Sequence, residues 1–187
     1  MPPTSSNDIL DGMVKKIVRS GDPRLSTISK AVGKIDKKII NIVNDLEATL
    51  KSQKDPEGVG LAACQIGINL RMFSMVDKDR IKTLINPEIL VSKPTAKKSA
   101  RVKNKILEGC LSLPNYYSPI SRDYQTKVKY TNREGKELTE NFTGMSAQII
   151  QHEIDHLNGI MFVQRLIEQK KPLYEMKDND WQEIELI

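Results

Sequence analysis

The only two histidines in this chain, His152 and His156, stand four positions apart in the segment QHEIDH, with Glu153 between them. On a helix, residues i and i+4 lie one above the other on the same face, so both imidazoles can converge on one metal ion. Glu153 falls on the adjoining edge, close enough to handle a water at the ion without ligating it. Burying two imidazoles and a carboxylate on one helix costs on the order of several kcal/mol unless something satisfies them, and a divalent ion does so. H-E-x-x-H by itself first suggests a zinc metalloprotease. A catalytic site of this kind needs a third protein ligand and one position left for water. There is no third histidine, and Glu175, the downstream carboxylate at a metalloprotease-like spacing, sits in a polar tail. Cys110 is better placed. It stands in LEGCLSLP, where Gly109 lets the backbone come close and Leu111 and Leu113 bracket a strand-like turn. A thiolate beside a divalent cation is deprotonated outright, so the ligand set becomes one sulfur and two nitrogens.

These side chains need a scaffold. The metal-binding segment is expected as a helix from Met145 to Leu157, stopped by Asn158 and Gly159. Two of its three stripes carry apolar residues, one with Met145 and Ile149 and the other with Ile150, Ile154 and Leu157, so this helix is largely buried. A second amphipathic helix is predicted from Ile35 to Leu50, where Ile35, Ile39, Ile42, Val43, Leu46 and Leu50 recur at spacings of three and four behind Asp36 as N-cap. The segments RMFSMV and KTLIN read as strands, with Pro87 ending the second. Residues 126–142 read as a hairpin turning near Asn132 to Gly135, and the terminal WQEIELI as a further strand. With strands before and after helices and no regular strand–helix–strand alternation, the fold class is α+β rather than a doubly wound sheet.

The chain is one domain's worth of sequence, 187 residues, with a Pro- and Ser-rich arm over 1–12 and a tail of uncertain form over 169–187. Two cysteines 46 positions apart exclude a disulfide scaffold. No apolar run approaches the roughly 20 residues that span a bilayer, and MPPTSSNDILDG lacks the pattern of a secretory or transit signal, so no membrane role and a cytoplasmic location are expected. The net charge of +5 is local: residues 93–105 hold six basic residues and no acidic one, and without those six the chain carries −1. This segment reads either as a solvated surface loop or as a contact for ribosomal RNA.

With GVGLAACQ at Gly58 to Gln65, EGCLS at Glu108 to Ser112 and QHEIDH at Gln151 to His156, together with RSGDPRL and LINPEI, the chain resembles the peptide deformylases over roughly residues 17–167. The resemblance implies antiparallel strands packed around a central helix that carries the metal-binding motif, and a hydrolase that removes the formyl group from the N-terminal formyl-methionine of nascent polypeptides and releases formate. It implies Cys110, His152 and His156 as metal ligands and Glu153 as general acid and base. Gln65 and the backbone N–H of Leu111 become the oxyanion-stabilising pair, and the backbone of Gly60 lies beside the bound substrate. The ion it implies is first Fe(II), with zinc, nickel or cobalt as replacements. A metallopeptidase of the H-E-x-x-H type and a non-catalytic ribosome-associated relative are the competing readings.

Three positions depart from the family pattern or stand out beside it. Cys64 replaces a frequent proline and, in an extended segment, should face away from the site if Gln65 faces it. Asn115 stands where many relatives have glycine, followed by Tyr116 and Tyr117, which suit either the substrate cleft or packing. Arg122 is expected to pair with Glu108 or Asp155.

Overall fold

The computed structural model describes residues 12–94, 107–178 and 180–185. The expected arm, up to residue 11, and the greater part of the expected basic loop lie outside the described residues.

Two antiparallel sheets and three α-helices make up the described fold, an α+β arrangement as expected. The larger sheet has the order β1 (Gly60–Ala62), β2 (Met72–Asp77), β3 (Arg80–Lys93), β6 (Gln125–Thr131), β7 (Glu137–Thr143). The smaller has the order β4 (Glu108–Cys110), β5 (Leu113–Ser118), β8 (Leu173–Lys177), β9 (Asp180–Ile184). The helices are α1 (Lys37–Ser52), α2 (Met145–Leu157) and α3 (Phe162–Glu168).

Helices cover both faces of the larger sheet at β2, which is why MFSM is a continuous buried run rather than an alternating one. Met72 and Val76 point into a core with Val43, Leu46 and Leu50 of α1, whereas Phe73 and Met75 point into a core with Ile149, Ile150 and Leu157 of α2. Strand alternation sends neighbours to opposite faces, so α1 and α2 lie on opposite sides of this sheet. A third apolar cluster, Cys110, Ile120, Phe162, Leu166 and Leu173, joins the smaller sheet to α3. The metal-motif helix is therefore central.

Asp36 caps α1 as expected, its Oδ1 accepting the Ile39 N–H at 3.0 Å. The helix starts and ends two residues later than the apolar periodicity indicates, and the chain just before Val14 already packs on it: the Met13 N–H reaches Asp45 Oδ1 at 2.7 Å. The predicted bounds of α2 match those observed, and Gly159 takes the left-handed φ of +72° just beyond its end. The hairpin turns over Asn132 to Lys136, Asn132 Oδ1 accepting the Lys136 N–H at 2.8 Å.

Pro87 does not end its strand. β3 passes through it by a bulge: Ile85 pairs with Thr131 and Glu88 with Lys129, so two residues of β3 oppose one of β6. Proline has no N–H to leave unpaired, and Asn86 tolerates φ +51° while its side-chain amide exchanges two hydrogen bonds with the Val32 backbone at 2.7 and 2.8 Å. The tail is also more regular than its sequence indicates. It adds the β8–β9 hairpin to β5, Tyr117 pairing with Tyr174.

Candidate metal centre

Two backbone decisions bring the ligands together. On α2, His152 and His156 stack one turn apart, their ring centroids 4.9 Å from each other and their planes at 81°. β4 ends at Cys110, whose Sγ lies 3.2 Å from His156 Nε2. The three ligand atoms all fall within 4.8 Å of one another, and all three residues are buried. Gly109 is what lets β4 fit: a Cβ there would stand 2.7 Å from the Tyr117 ring.

The electrostatics of this cluster suit a cation. Burial opposes a thiolate at Cys110, but the charges of His156 and His152 and their hydrogen bonds outweigh it and hold the thiol well below its ordinary value. Burial likewise opposes ionisation of Glu108, yet His152 and Arg122 bring its carboxyl down to about 2. Glu108 Oε1 lies 2.8 Å from His152 Nδ1. A carboxylate there accepts the Nδ1 proton, which leaves Nε2 with its lone pair for an ion. Glu153 is 3% exposed, and burial pushes its carboxyl up to about 7 against the pull of the two histidines. Its Oε2 is buried without a partner among the described residues, as is His156 Nδ1. A sulfur and two nitrogens converging beside an unpartnered acidic oxygen fit a divalent ion with a water-handling carboxylate at its edge.

The other expected residues gather here too. Gln65 sits in a single 3-10 turn, Ala63–Ile66, directly after β1, with its side chain tied at both ends. Its Oε1 accepts the Ala62 N–H at 2.8 Å, and its Nε2 donates to Ser112 Oγ at 3.1 Å and faces Cys110 Sγ at 3.6 Å. Leu111 and Gly60 line the same cleft of about 230 Å³ as Cys110, His152 and Glu153. Gly60 is pressed against the site: a Cβ there would stand 2.8 Å from Ile149 Cγ2 and closer still to Glu153 Oε1.

Cys64 stands outside the cluster of three ligand atoms, although the reason differs from strand alternation, because its segment is the 3-10 turn rather than extended chain. Its Sγ lies 3.7 Å from the His156 carbonyl oxygen, and burial, with Glu153 and Cys110 nearby, pushes its thiol up to about 12. Arg122 pairs with both expected partners, at 2.7 Å to Glu108 and 2.6 Å to Asp155. Asn115 holds φ +69°, a left-handed conformation that asparagine tolerates and glycine adopts freely. Tyr116 and Tyr117 both line the cleft, and Trp181 of β9 meets Tyr117 edge-on at 5.2 Å.

Three contributors were not foreseen as parts of the site: Glu108 as the partner of His152, Ser112 as the anchor of Gln65, and the β8–β9 hairpin as support for the cleft wall. The first two lie inside EGCLS, so the motif itself carried the signal. The third is a pairing between distant segments and leaves no local trace.

Residues 14–172 match the family model described as polypeptide deformylase. The peptide deformylase of Pseudothermotoga lettingae is 40% identical over 151 residues, covering 81% of this chain and 82% of that protein. That of Mesorhizobium japonicum is 36% identical over 165 residues, covering 86% and 88%. The crystal structure of peptide deformylase from Thermotoga maritima superposes with a TM-score of 0.73 at 36% identity, covering 81% of this chain and 97% of that one. The peptide deformylase from Synechococcus elongatus, solved in complex with actinonin, superposes with a TM-score of 0.73 at 29% identity, covering 88% and 87%.

Proposed function

The chain belongs to the peptide deformylase family, hydrolases of the N-formyl amide of nascent polypeptides, and on that premise we propose which of its residues carry the reaction. Cys110, His152 and His156 hold one divalent ion, Glu153 moves the proton, and Gln65 with the Leu111 N–H receives the developing oxyanion. When bound, such an ion supplies Lewis acidity that polarises the formyl carbonyl and lowers the pKa of water towards neutrality.

The chain's own groups do the rest. Glu108 holds His152 in one ring orientation, so the ligand is aimed before the ion arrives. Glu153, whose carboxyl burial raises to about 7, accepts a proton from the attacking water and returns it to the leaving amine. Gln65 is held by Ala62 and Ser112, so the amide N–H that it turns towards Cys110 Sγ is the one offered to the formyl oxygen. Loss of one such donor costs on the order of 10²-fold in rate. The backbone of Gly60 and the apolar side chains of Val59 and Ile149 form the cleft wall against which the formylated methionine lies.

The observation that carries this reading is the convergence of three ligand atoms within 4.8 Å beside the unpartnered Glu153 Oε2. One sulfur and two nitrogens suit Fe(II) or Zn(II), with Ni and Co as replacements, and we take iron as the native ion on the family resemblance. Metal analysis of anaerobically purified protein tests that choice. Among the described residues no helix is long and apolar enough to cross a membrane. We place the protein in the cytoplasm, with the basic residues of 93–105 as its contact with the ribosome, to be checked by co-sedimentation at low and high salt.

The deciding assay is formate release from formyl-Met-Ala-Ser by iron-loaded protein, beside Glu153→Ala. Robust release by the wild type and a 10²- to 10⁴-fold loss in the variant are expected, an estimate of about that size following from general acid–base catalysis. Cleavage of unformylated peptides instead would mean a metallopeptidase, and no turnover of either substrate a non-catalytic relative.

A further inference from the structure

We propose that Arg165, on α3, is a positioning residue for the metal ligand His152, acting through Asp155, Arg122 and Glu108. The inference rests on the reading of Cys110, His152 and His156 as a metal site.

A continuous relay of charged groups connects the two. His152 Nδ1 meets Glu108 Oε1 at 2.8 Å. Arg122 grips the same carboxylate with two N–H groups, Nη2 to Oε1 at 2.7 Å and Nε to Oε2 at 3.0 Å. Its remaining Nη1 donates to Asp155 Oδ2 at 2.6 Å. Arg165 then closes on Asp155 from the other side, Nη2 to Oδ1 at 2.6 Å and Nε to Oδ2 at 2.9 Å. The interior of this relay is dry: the Arg122 side chain is 8% exposed, Glu108 5% and Asp155 8%, whereas Arg165 reaches the surface at 30%.

Charge balance gives Arg165 its role. With His152 neutral, as a metal ligand must be, Glu108 and Asp155 are two buried carboxylates sharing one buried guanidinium, which leaves a net negative charge unless a second cation joins. Arg165 supplies it, and its planar fork saturates both Asp155 oxygens, so Arg122 does not have to turn towards Asp155 to satisfy it. Without Arg165 the two carboxylates compete for Arg122. Any movement of Arg122 towards Asp155 lengthens its grip on Glu108, and Glu108 is the group that holds Nδ1 of the His152 ring. Asp155 lies on α2 three residues after His152, so the clamp also ties α3 to the ligand-bearing helix next to the ligand itself.

A packing role would look different. The apolar face of α3 is carried by Phe162 and Leu166, both buried, and Arg165 is not among them. Loss of packing lowers the melting temperature of the metal-free protein, whereas loss of positioning accelerates release of the ion from a protein that is still folded.

The experiment uses Co(II), whose thiolate absorption and d–d bands report on the ligand set. One equivalent is loaded into wild type, Arg165→Met, Arg165→Lys and Glu168→Gln, and its release to excess chelator is timed. Outer-shell partners of metal ligands change affinity by about 10- to 100-fold, so a group three links beyond Glu108 is expected to speed release by about 3- to 10-fold in Arg165→Met, with a shifted d–d spectrum. Arg165→Lys keeps the charge but not the fork and falls between. Glu168→Gln removes only the outer partner of Arg165, 3.0 Å away, and leaves release unchanged. Wild-type release rates and spectra in both Arg165 variants would overturn the proposal, whatever their melting temperatures. A wild-type protein that shows no cobalt–thiolate band would instead overturn the metal-site reading beneath it.

Discussion

Gly60→Ala adds one methyl group and places it against Glu153, the proposed general base. A Cβ at this position would stand 2.8 Å from Ile149 Cγ2 and 3.0 Å from Glu153 Cδ, with the Oε1 oxygen nearer than either. Ordinary contact begins at 3.4 Å, so Ile149 would have to yield by about 0.6 Å and the Glu153 oxygen by more. Neither can do so cheaply. Both side chains are buried on α2, and β1 is pinned to β2 through the pairing of Gly60 with Met75. Overpacking of this kind costs about 1–3 kcal/mol, and displacing a reacting group by about 1 Å costs on the order of 10²-fold in rate. The expected result is a fall in kcat of about 10²-fold with a melting temperature lower by roughly 2–10 °C, measured by formate release and thermal denaturation of the iron-loaded protein. A drop in melting temperature with kcat within twofold of wild type would show that Glu153 tolerates the shift. Unchanged values of both would refute the close approach itself.

Removing the ion is expected to destabilise the fold. A ligand present at 100 times its Kd adds about 2.7 kcal/mol, so chelation should lower the melting temperature by roughly 5–10 °C, and a Cys110→Ala variant should show no difference between metal-loaded and stripped samples. Trp181→Ala removes the edge-on support of Tyr117, worth about 0.5–1.5 kcal/mol, and should raise KM for formyl-Met-Ala-Ser by about 2- to 10-fold at constant kcat; an unchanged KM would mean that β9 does not shape the cleft. Burial, together with its hydrogen bond to Glu140, raises the Tyr130 phenol above its ordinary value. A folded-state value raised in this way gives stability that is complete below the unfolded pKa of about 10 and lost as pH rises through the folded one, so Tyr130→Phe should flatten the alkaline limb of the stability–pH curve.

Much of the site was legible because its chemistry is local. Two histidines and a glutamate on one helical turn, and a cysteine between glycine and leucine, mark themselves as candidates by type and local context, and α2 itself is set by a strong 3.6-residue period. Arg122 was legible as an ion-pairing residue, although the structure joins it to both carboxylates at once. Misreadings came where tertiary context overrode a local rule. Pro87 is an ordinary strand terminator until a bulge and the Asn86–Val32 bonds carry the strand past it. Cys64 was placed by strand alternation, but its residues form a 3-10 turn that ties Gln65 to Ala62. α3 is only seven residues long, too short for a periodicity to stand out, and what holds it is Phe162, Leu166 and the Arg165–Asp155 clamp.

The sequence by itself thus determined which groups could take part: the S, N and N donors, the carboxylate between the two histidines and the helix that aligns two of the ligands. Such groups are named by residue type and by spacing within a few positions, which a one-dimensional chain displays in full. Only the tertiary structure decided how they are aimed. The meeting of Cys110 with His156 across 46 residues, the closing of Glu108 on His152, the pressure of Gly60 on Glu153 and the bracing of Tyr117 by Trp181 each join distant segments. Contacts of that kind arise when two sheets pack around one buried helix, and no local pattern encodes the packing.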